Sequence, residues 1–263
     1  MKKYIVIGNP IQHSLSPKLH NYWLKEKKID AVYDKKKINE NELKNFISEI
    51  REKKFDGANV TIPFKQKIIS FLDELTYEAK ITQSVNTIYR KDNKIIGHNT
   101  DIIGFVLGIK ETKYNVNNKT ILILGAGGVV PSIICALEKM KASRIIVSNR
   151  TKIKAENLKK LFKDLLVVDW GHVPDFDMII NATSLGLKKE DKIELDLLKT
   201  ESNKFFYDVI YKSEETHFLK TGKELNCKTE NGKKMFVFQA SAAFKVWHNI
   251  DPDINDKTYE LLD

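Results

Sequence analysis

The sequence predicts an α/β protein built around a doubly wound parallel sheet. The run Ile121 to Leu124 is continuously apolar, as a parallel strand buried on both faces requires, and it runs straight into Gly125-Ala-Gly-Gly128. A second strand, Arg144 to Ser148, arrives where a strand–helix–strand unit needs it. Three further apolar segments, Leu165 to Val168, Asp177 to Ile180 and Phe205 to Val209, bring the sheet to about five or six strands.

Gly125, Gly127 and Gly128 let the chain turn sharply and present backbone N–H groups at a helix N-terminus, a setting suited to a pyrophosphate. Pro131 falls in the first turn of that helix, where its missing N–H is no loss. A glycine-rich turn alone has many uses. The end of the second strand narrows them. Asn149 lies roughly 24 positions after Gly125, near where NAD-binding units place an acid on the ribose. Arg150 follows, with Lys152 and Lys154 close by. An acid would repel a 2′-phosphate, whereas a guanidinium grips one in a fork, so the local chemistry favours NADP over NAD.

The 263 residues suffice for one large or two modest domains, and 42% hydrophobic with 30% charged residues is ordinary for a globular protein. The net charge is +9, but the lysines are scattered through polar helix faces and form no long basic run. Solvated faces with a modest steering field for anionic ligands are expected, and no nucleic-acid partner. Cys135 and Cys227 lie far apart with no C-x-x-C pair, which fits reduced thiols in a cytoplasmic protein. Tyr4 to Ile7 is too short for a signal peptide, and glycines and a proline interrupt Ile121 to Leu137 before the ~20 residues a bilayer span needs. No membrane association is expected. The six histidines lack metal-ligand spacing, and no H-E-x-x-H, G-x-S-x-G or Walker A sequence occurs. No metal is expected.

In the first hundred residues, Tyr4 to Ile7 reads as a strand. Ser16 then sits at an N-cap and Pro17 at the first position of a helix to about Lys28, with Leu19, Tyr22 and Trp23 on its apolar face. Ser16 thus reads equally as a cap or a ligand, and Ser14 has no capping duty. Ala31 to Lys36 reads as a strand, Leu43, Phe46, Ile47 and Ile50 mark a helix, and Asp56 to Val60 is a third strand. Pro63 is expected to open another helix, placing Asn59, Thr61 and Lys65 around its N-terminus. Lys65 by itself reads more readily as a solvated surface lysine. Val85 to Arg90 and Lys94 to Gly97 form a strand pair around Asp92-Asn93. Asp101 lies at a helix start, where a capping and a catalytic carboxylate look the same.

In the second half, Asn181-Ala-Thr-Ser184 and Asp208-Val-Ile-Tyr211 each end a strand at the ligand-binding edge of the sheet. A last helix spans Asn231 to Trp247, and Gln239 lies beside its apolar face.

Taken together, these segments resemble the shikimate dehydrogenases over nearly the whole chain. Asn9 to Pro17 with His20-Asn21 resembles the substrate signature, and Asn59-Val-Thr-Ile-Pro-Phe-Lys65 the catalytic-lysine segment. Val85-Asn-Thr87 and Asn99-Thr-Asp101 resemble its partner segments. Gly125 to Gly128, Asn149-Arg-Thr151 and Asn181 to Ser184 are similar to the NADP-domain motifs, and Asp208 to Tyr211, Gly232 and Gln239-Ala240 close the series. Three segments depart from the family pattern: Gln83-Ser84, Val129-Val130-Pro131 and Ser213.

The resemblance implies two α/β domains with a cleft between them. Residues 1–101 plus 233–263 would bind substrate, and 102–232 would form a Rossmann-like NADP domain. It implies reversible NADPH-dependent reduction of 3-dehydroshikimate to shikimate in aromatic amino-acid biosynthesis, with Lys65 and Asp101 as the catalytic pair. Ser14, Ser16, Asn59, Thr61 and Asn86, then Tyr211 and Gln239, would bind substrate beside that pair. Gly125, Ala126, Gly127, Gly128 and Val129 would hold the pyrophosphate side of the cofactor. Asn149, Arg150, Thr151 and Lys152 would read its 2′-phosphoribose, and Thr183, Ile210 and Gly232 would complete the site. A homodimer is a further expectation. An NAD-using quinate/shikimate enzyme of the same fold and a non-catalytic dinucleotide-binding regulator are the alternative readings.

Overall fold

The computed structural model of the protein describes residues 1–197, 200–211 and 214–263. Ser213 lies outside the described residues. Tertiary contacts divide the chain into two compact units, Met1–Gly104 with Val237–Asp263, and Phe105–Phe236.

The first unit opens with β1 (Lys2–Gly8), α1 (Ser16–Glu26), β2 (Ala31–Lys37), α2 (Leu43–Arg51) and β3 (Gly57–Val60). It continues through β4 (Glu74–Leu75), α3 (Tyr77–Thr82), β5 (Thr87–Lys91) and β6 (Lys94–His98) to the start of α4 (Asp101–Glu111), which from Phe105 belongs to the second unit. The strands form one sheet in the order β2-β1-β3-β5-β6-β4. β1 runs parallel to β2 and β3, whereas β5 is antiparallel to β3 and β6. This register has a direct consequence for the site. The segments leaving the C-terminal ends of β1, β3 and β6 and the segment entering β5 all emerge at one edge of the sheet. Asp92 and Asn93 close the β5–β6 hairpin with φ of 49° and 62°, the backbone a two-residue turn between right-twisted strands demands. Ile5, Ile7, Phe46, Ile50, Val60 and Ile88 lie in the core of this unit.

Two expectations are corrected here. Ser16 is the first residue of α1 and not its cap, and no side chain caps that helix. Instead the Ser16 N–H donates to Ser14 Oγ at 3.3 Å, so the local bond belongs to the serine expected to lack one. Pro63 opens no helix. It lies in a turn closed by the Phe64 N–H donating to the Thr61 carbonyl at 2.9 Å, and only a short 3-10 segment, Lys67–Phe71, follows. The Phe64 side chain goes into the core, 2% exposed, which pins the turn.

The second unit holds β7 (Thr120–Leu124), α5 (Val130–Lys139), β8 (Arg144–Ser148), α6 (Lys152–Leu158) and β9 (Leu166–Val168). β10 (Met178–Asn181), β11 (Phe205–Asp208), α7 (His217–Glu224) and β12 (Lys228–Glu230) complete it. All six strands are parallel, in the order β12-β11-β10-β7-β8-β9. The chain starts at β7 and steps outward first to one side, then to the other. The strand order therefore reverses beside β7, the switch point at which such sheets bind ligands. Val130 is fully buried, so the larger residues after the glycine turn pack inward.

The chain ends with α8 (Lys233–His248) and α9 (Asp256–Glu260). In the first unit, α8 sets Phe244 and Trp247 against Tyr4, His20, Trp23 and Tyr33. The Trp247 indole N–H donates to the Ile88 carbonyl at 3.0 Å, tying the helix to β5. No helix among the described residues is long and apolar enough to cross a membrane.

Candidate active site

At the shared edge of the first sheet, Lys65 follows β3, Asn86 precedes β5 and Asp101 begins α4. The Val85 N–H donates to the Lys65 carbonyl at 2.8 Å and clips the lysine segment to the start of β5. Lys65 Nζ then lies 2.6 Å from Asp101 Oδ2, with only 11% and 6% of the two side chains exposed. Asn86 Nδ2 donates to the other carboxylate oxygen, Oδ1, at 2.9 Å. Both oxygens of Asp101 are thus engaged, and neither caps the helix. The N-terminal N–H of Ile102 goes to Asn99 Oδ1 at 3.3 Å, which frees Asp101 for Lys65. Of the three N–H bonds of the Lys65 ammonium, one meets Asp101, its sole partner among the described residues.

Around the pair lies a buried polar network. Asn86 Oδ1 accepts from the Thr100 N–H at 2.8 Å and from Thr87 Oγ1 at 3.0 Å. Its amide also faces Thr100 Oγ1 at 2.9 Å and Gln239 Oε1 at 3.4 Å. Asn59 donates to the Asn86 carbonyl at 2.9 Å and to Thr87 Oγ1 at 3.1 Å, while Tyr33 OH donates to Asn59 Oδ1 at 2.6 Å. Both hydrogens of the Asn59 amide are therefore taken, and only a lone pair on its oxygen remains to offer. Thr61 and Ser16 differ: neither hydroxyl has a hydrogen bond among the described residues. The first unit thus brings Lys65, Asp101, Asn86, Asn59 and Gln239 into one bonded group, and places Ser14 and Thr61 on loops leaving the same edge, with Ser16 at the start of α1.

In the second unit, Gly125 follows β7 with φ of 112°, and a Cβ there would lie 2.7 Å from the Ala182 carbonyl oxygen. Only glycine allows that turn to close against the loop after β10. A Cβ on Gly127 would meet nothing within 4 Å, so the backbone of the turn borders open space of the kind a pyrophosphate fills. Asn149 Nδ2 donates to the Thr151 carbonyl at 2.8 Å and shapes the turn after β8. The exposed Arg150 has no hydrogen bond or ion pair among the described residues, whereas Lys152 is paired with Asp169 at 2.8 Å. Residues 125–129, with Arg150, fit a phosphorylated dinucleotide. Thr183 Oγ1 donates to Asn181 Oδ1 at 2.7 Å, the Ile210 N–H goes to Asp208 Oδ1 at 3.0 Å, and the Gly232 N–H donates to the Ile210 carbonyl at 3.1 Å. Tyr211 also belongs to this unit, its ring stacked on Phe236 at 4.2 Å.

Four contributors escaped the sequence reading as site residues: Tyr33, Thr87, Asp169 and Asp208. The spacing of polar residues in the sequence marks neither Tyr33 nor Asp169, and Thr87 stood within Val85-Asn-Thr87 without a role of its own. Asp208 stood within a segment singled out as a strand end, but only its burial shows what it does.

The all-parallel second unit, with a glycine turn at its switch point and a free arginine beyond the next strand, defines a dinucleotide-binding α/β protein of the Rossmann type. The family model "Shikimate dehydrogenase substrate binding domain" matches residues 6–88, and "Shikimate / quinate 5-dehydrogenase" matches residues 108–209. The chain belongs to the shikimate dehydrogenase family. It is 56% identical to a shikimate dehydrogenase (NADP(+)) of Pelagibacter ubique, over 100% of this chain and 99% of that one. Among solved structures it resembles a shikimate dehydrogenase in complex with NADP+, with a TM-score of 0.93, 34% identity and coverage of 100% and 94% of the two chains. It also resembles the Thermus thermophilus enzyme in complex with NADP(H) and shikimate, with a TM-score of 0.90, 28% identity and coverage of 100% and 98%.

Proposed function

We propose that this protein catalyses the reversible NADPH-dependent reduction of 3-dehydroshikimate to shikimate, with Lys65 and Asp101 as the catalytic pair. The observation that carries the proposal is the 2.6 Å ion pair between them, sheltered from water and oriented by Asn86. NADPH supplies the hydride. Hydride arriving at the ketone carbon leaves negative charge on oxygen, which needs a proton donor within hydrogen-bond reach. Lys65 has two N–H bonds to offer, one to that oxygen and one to a neighbouring hydroxyl, and it gives its proton to the developing alkoxide. In the oxidation direction the same nitrogen takes the proton back. Asp101 holds the ammonium in place, and Asn86 keeps the carboxylate from swinging away. Ser14, Ser16, Thr61 and Gln239 hold the substrate's hydroxyls and carboxylate. Residues 125–129 hold the pyrophosphate, Arg150 grips the 2′-phosphate in a fork, and Lys152 adds charge once drawn from Asp169.

The test is kcat/KM for shikimate and quinate, each with NADP and NAD. The proposal expects the shikimate–NADP pair to exceed the others by at least about tenfold, a difference of ~1.4 kcal/mol in transition-state binding. A preference for quinate with NAD, or NADPH binding without turnover of 3-dehydroshikimate, would overturn it. The proposal includes a role in aromatic amino-acid biosynthesis and a cytoplasmic setting, in keeping with the free, buried thiols of Cys135 and Cys227. Sedimentation of the purified chain decides between monomer and homodimer.

A further inference from the structure

Asp208, the last residue of β11, is fully buried and has no cationic partner among the described residues. An ionised carboxylate in such a place is costly unless donors surround it. Three neutral donors do so, each from a different segment. Asn181 Nδ2, at the end of β10, donates to Oδ1 at 3.0 Å. The Ile210 N–H, in the loop after β11, donates to Oδ1 at 3.0 Å. The Thr216 hydroxyl, which caps α7, donates to Oδ2 at 2.7 Å. Burial nevertheless pushes the Asp208 carboxyl up to about 6, with the Thr216, Ile210 and Asn181 bonds pulling the other way.

The polarity of this arrangement propagates. A carboxylate is an acceptor only, so the Asn181 amide must turn its NH2 toward Asp208 and its oxygen away. The same NH2 reaches the Leu185 carbonyl at 2.9 Å. The oxygen accepts from both the Thr183 N–H at 3.0 Å and the Thr183 hydroxyl at 2.7 Å. The Thr183 oxygen accepts in turn from the Leu185 N–H at 3.0 Å. Its proton thus spent, Thr183 can present only a lone pair outward, an acceptor for an N–H or O–H donor on a ligand.

We propose that Asp208 is a positioning residue: through Asn181 it fixes which way the Thr183 hydroxyl points, and so makes the loop after β10 an acceptor surface toward the bound cofactor. The proposal rests on the reading that Thr183 faces NADP. Asp208 itself touches no ligand in this account.

The experiment is a double-mutant cycle of Asp208→Ala and Thr183→Val, reading KM for NADP at saturating shikimate. Each single variant is expected to raise KM for NADP by about tenfold, the scale of one lost hydrogen bond with its partner unsatisfied, while kcat at saturating NADP stays within about threefold. The double variant should be no worse than the poorer single one, because both act on the same contact. Multiplying effects, or a wild-type KM in Asp208→Ala, would overturn the positioning role. A wild-type KM in Thr183→Val would instead sink the reading that this loop meets NADP, a separate failure. Should Asp208→Ala not fold, Thr216→Val and Thr216→Ser decide. Valine should raise KM for NADP about threefold and serine leave it unchanged. Indistinguishable valine and serine variants would contradict the proposal.

Discussion

Protonating His20 would set an imidazolium among aromatic rings with no acceptor for its second N–H. The side chain is 1% exposed and its Nε2 has no hydrogen-bond partner among the described residues. It stacks on Tyr33 at 4.2 Å with rings 2° from parallel, and meets Trp23 edge-on at 5.7 Å. Burial, and next the neighbouring His248, lower its pKa from 6.5 to about 3. Between those values the unfolded chain binds a proton that the folded chain refuses. The stability His20 allows is therefore complete above about pH 6.5 and is lost as pH falls, by up to ~1.4 kcal/mol per pH unit. From about pH 7.5 to about pH 5 the loss comes to ~2 kcal/mol, set almost wholly by the unfolded pKa because the folded one lies well below the window. His248, lowered to about 4 by burial and then by Lys2, adds a loss of the same sign over the same window. Urea unfolding followed by tryptophan fluorescence measures this, since Trp23 and Trp247 both touch the His20 ring. His20→Phe keeps an aromatic ring and removes the titration, so its loss over the same range should be smaller by ~2 kcal/mol. Parallel pH profiles for the two proteins would refute the reasoning.

Gly125→Ala must place a Cβ 2.7 Å from the Ala182 carbonyl oxygen at φ of 112°. It is expected to raise KM for NADP by at least about tenfold while shikimate binding, measured by calorimetry, changes little. Arg150→Ala should raise KM for NADP by about tenfold or more and leave KM for NAD near the wild-type value, because the lost fork binds only the 2′-phosphate. Equal effects on the two cofactors would place Arg150 elsewhere.

Continuous apolar runs made most of the fold legible. Arg144–Ser148 is a strand with the bounds its sequence suggests, and Asp92-Asn93 announces its hairpin through two residues that tolerate positive φ. The short elements were not legible. β4 has two residues and α3 six, too few for a period, and α3 is held by the Thr76 side chain accepting from the Ala79 N–H. Pro63 misled because a proline suits a turn as well as a first helical turn, and burial of Phe64 decides between them. The site was legible only as separate motifs. Lys65 and Asp101 are 36 positions apart, and nothing in either segment shows that β3, β5 and β6 lie side by side and bring them together. Ser16 lost its expected capping role because capping depends on where the helix axis begins, which a sequence resolves to within a few residues.

The proposed catalytic pair is tested most directly by kcat for shikimate oxidation with NADP in Lys65→Met, a change that keeps most of the buried stem while removing the ammonium. Shikimate binding and thermal unfolding of the same preparation establish that the site and fold survive. A fall in kcat of about 10²- to 10⁴-fold, with shikimate still bound, is predicted for loss of the group that moves the proton. A kcat within about threefold of the wild-type value would contradict the assignment of Lys65 and, with it, of Asp101.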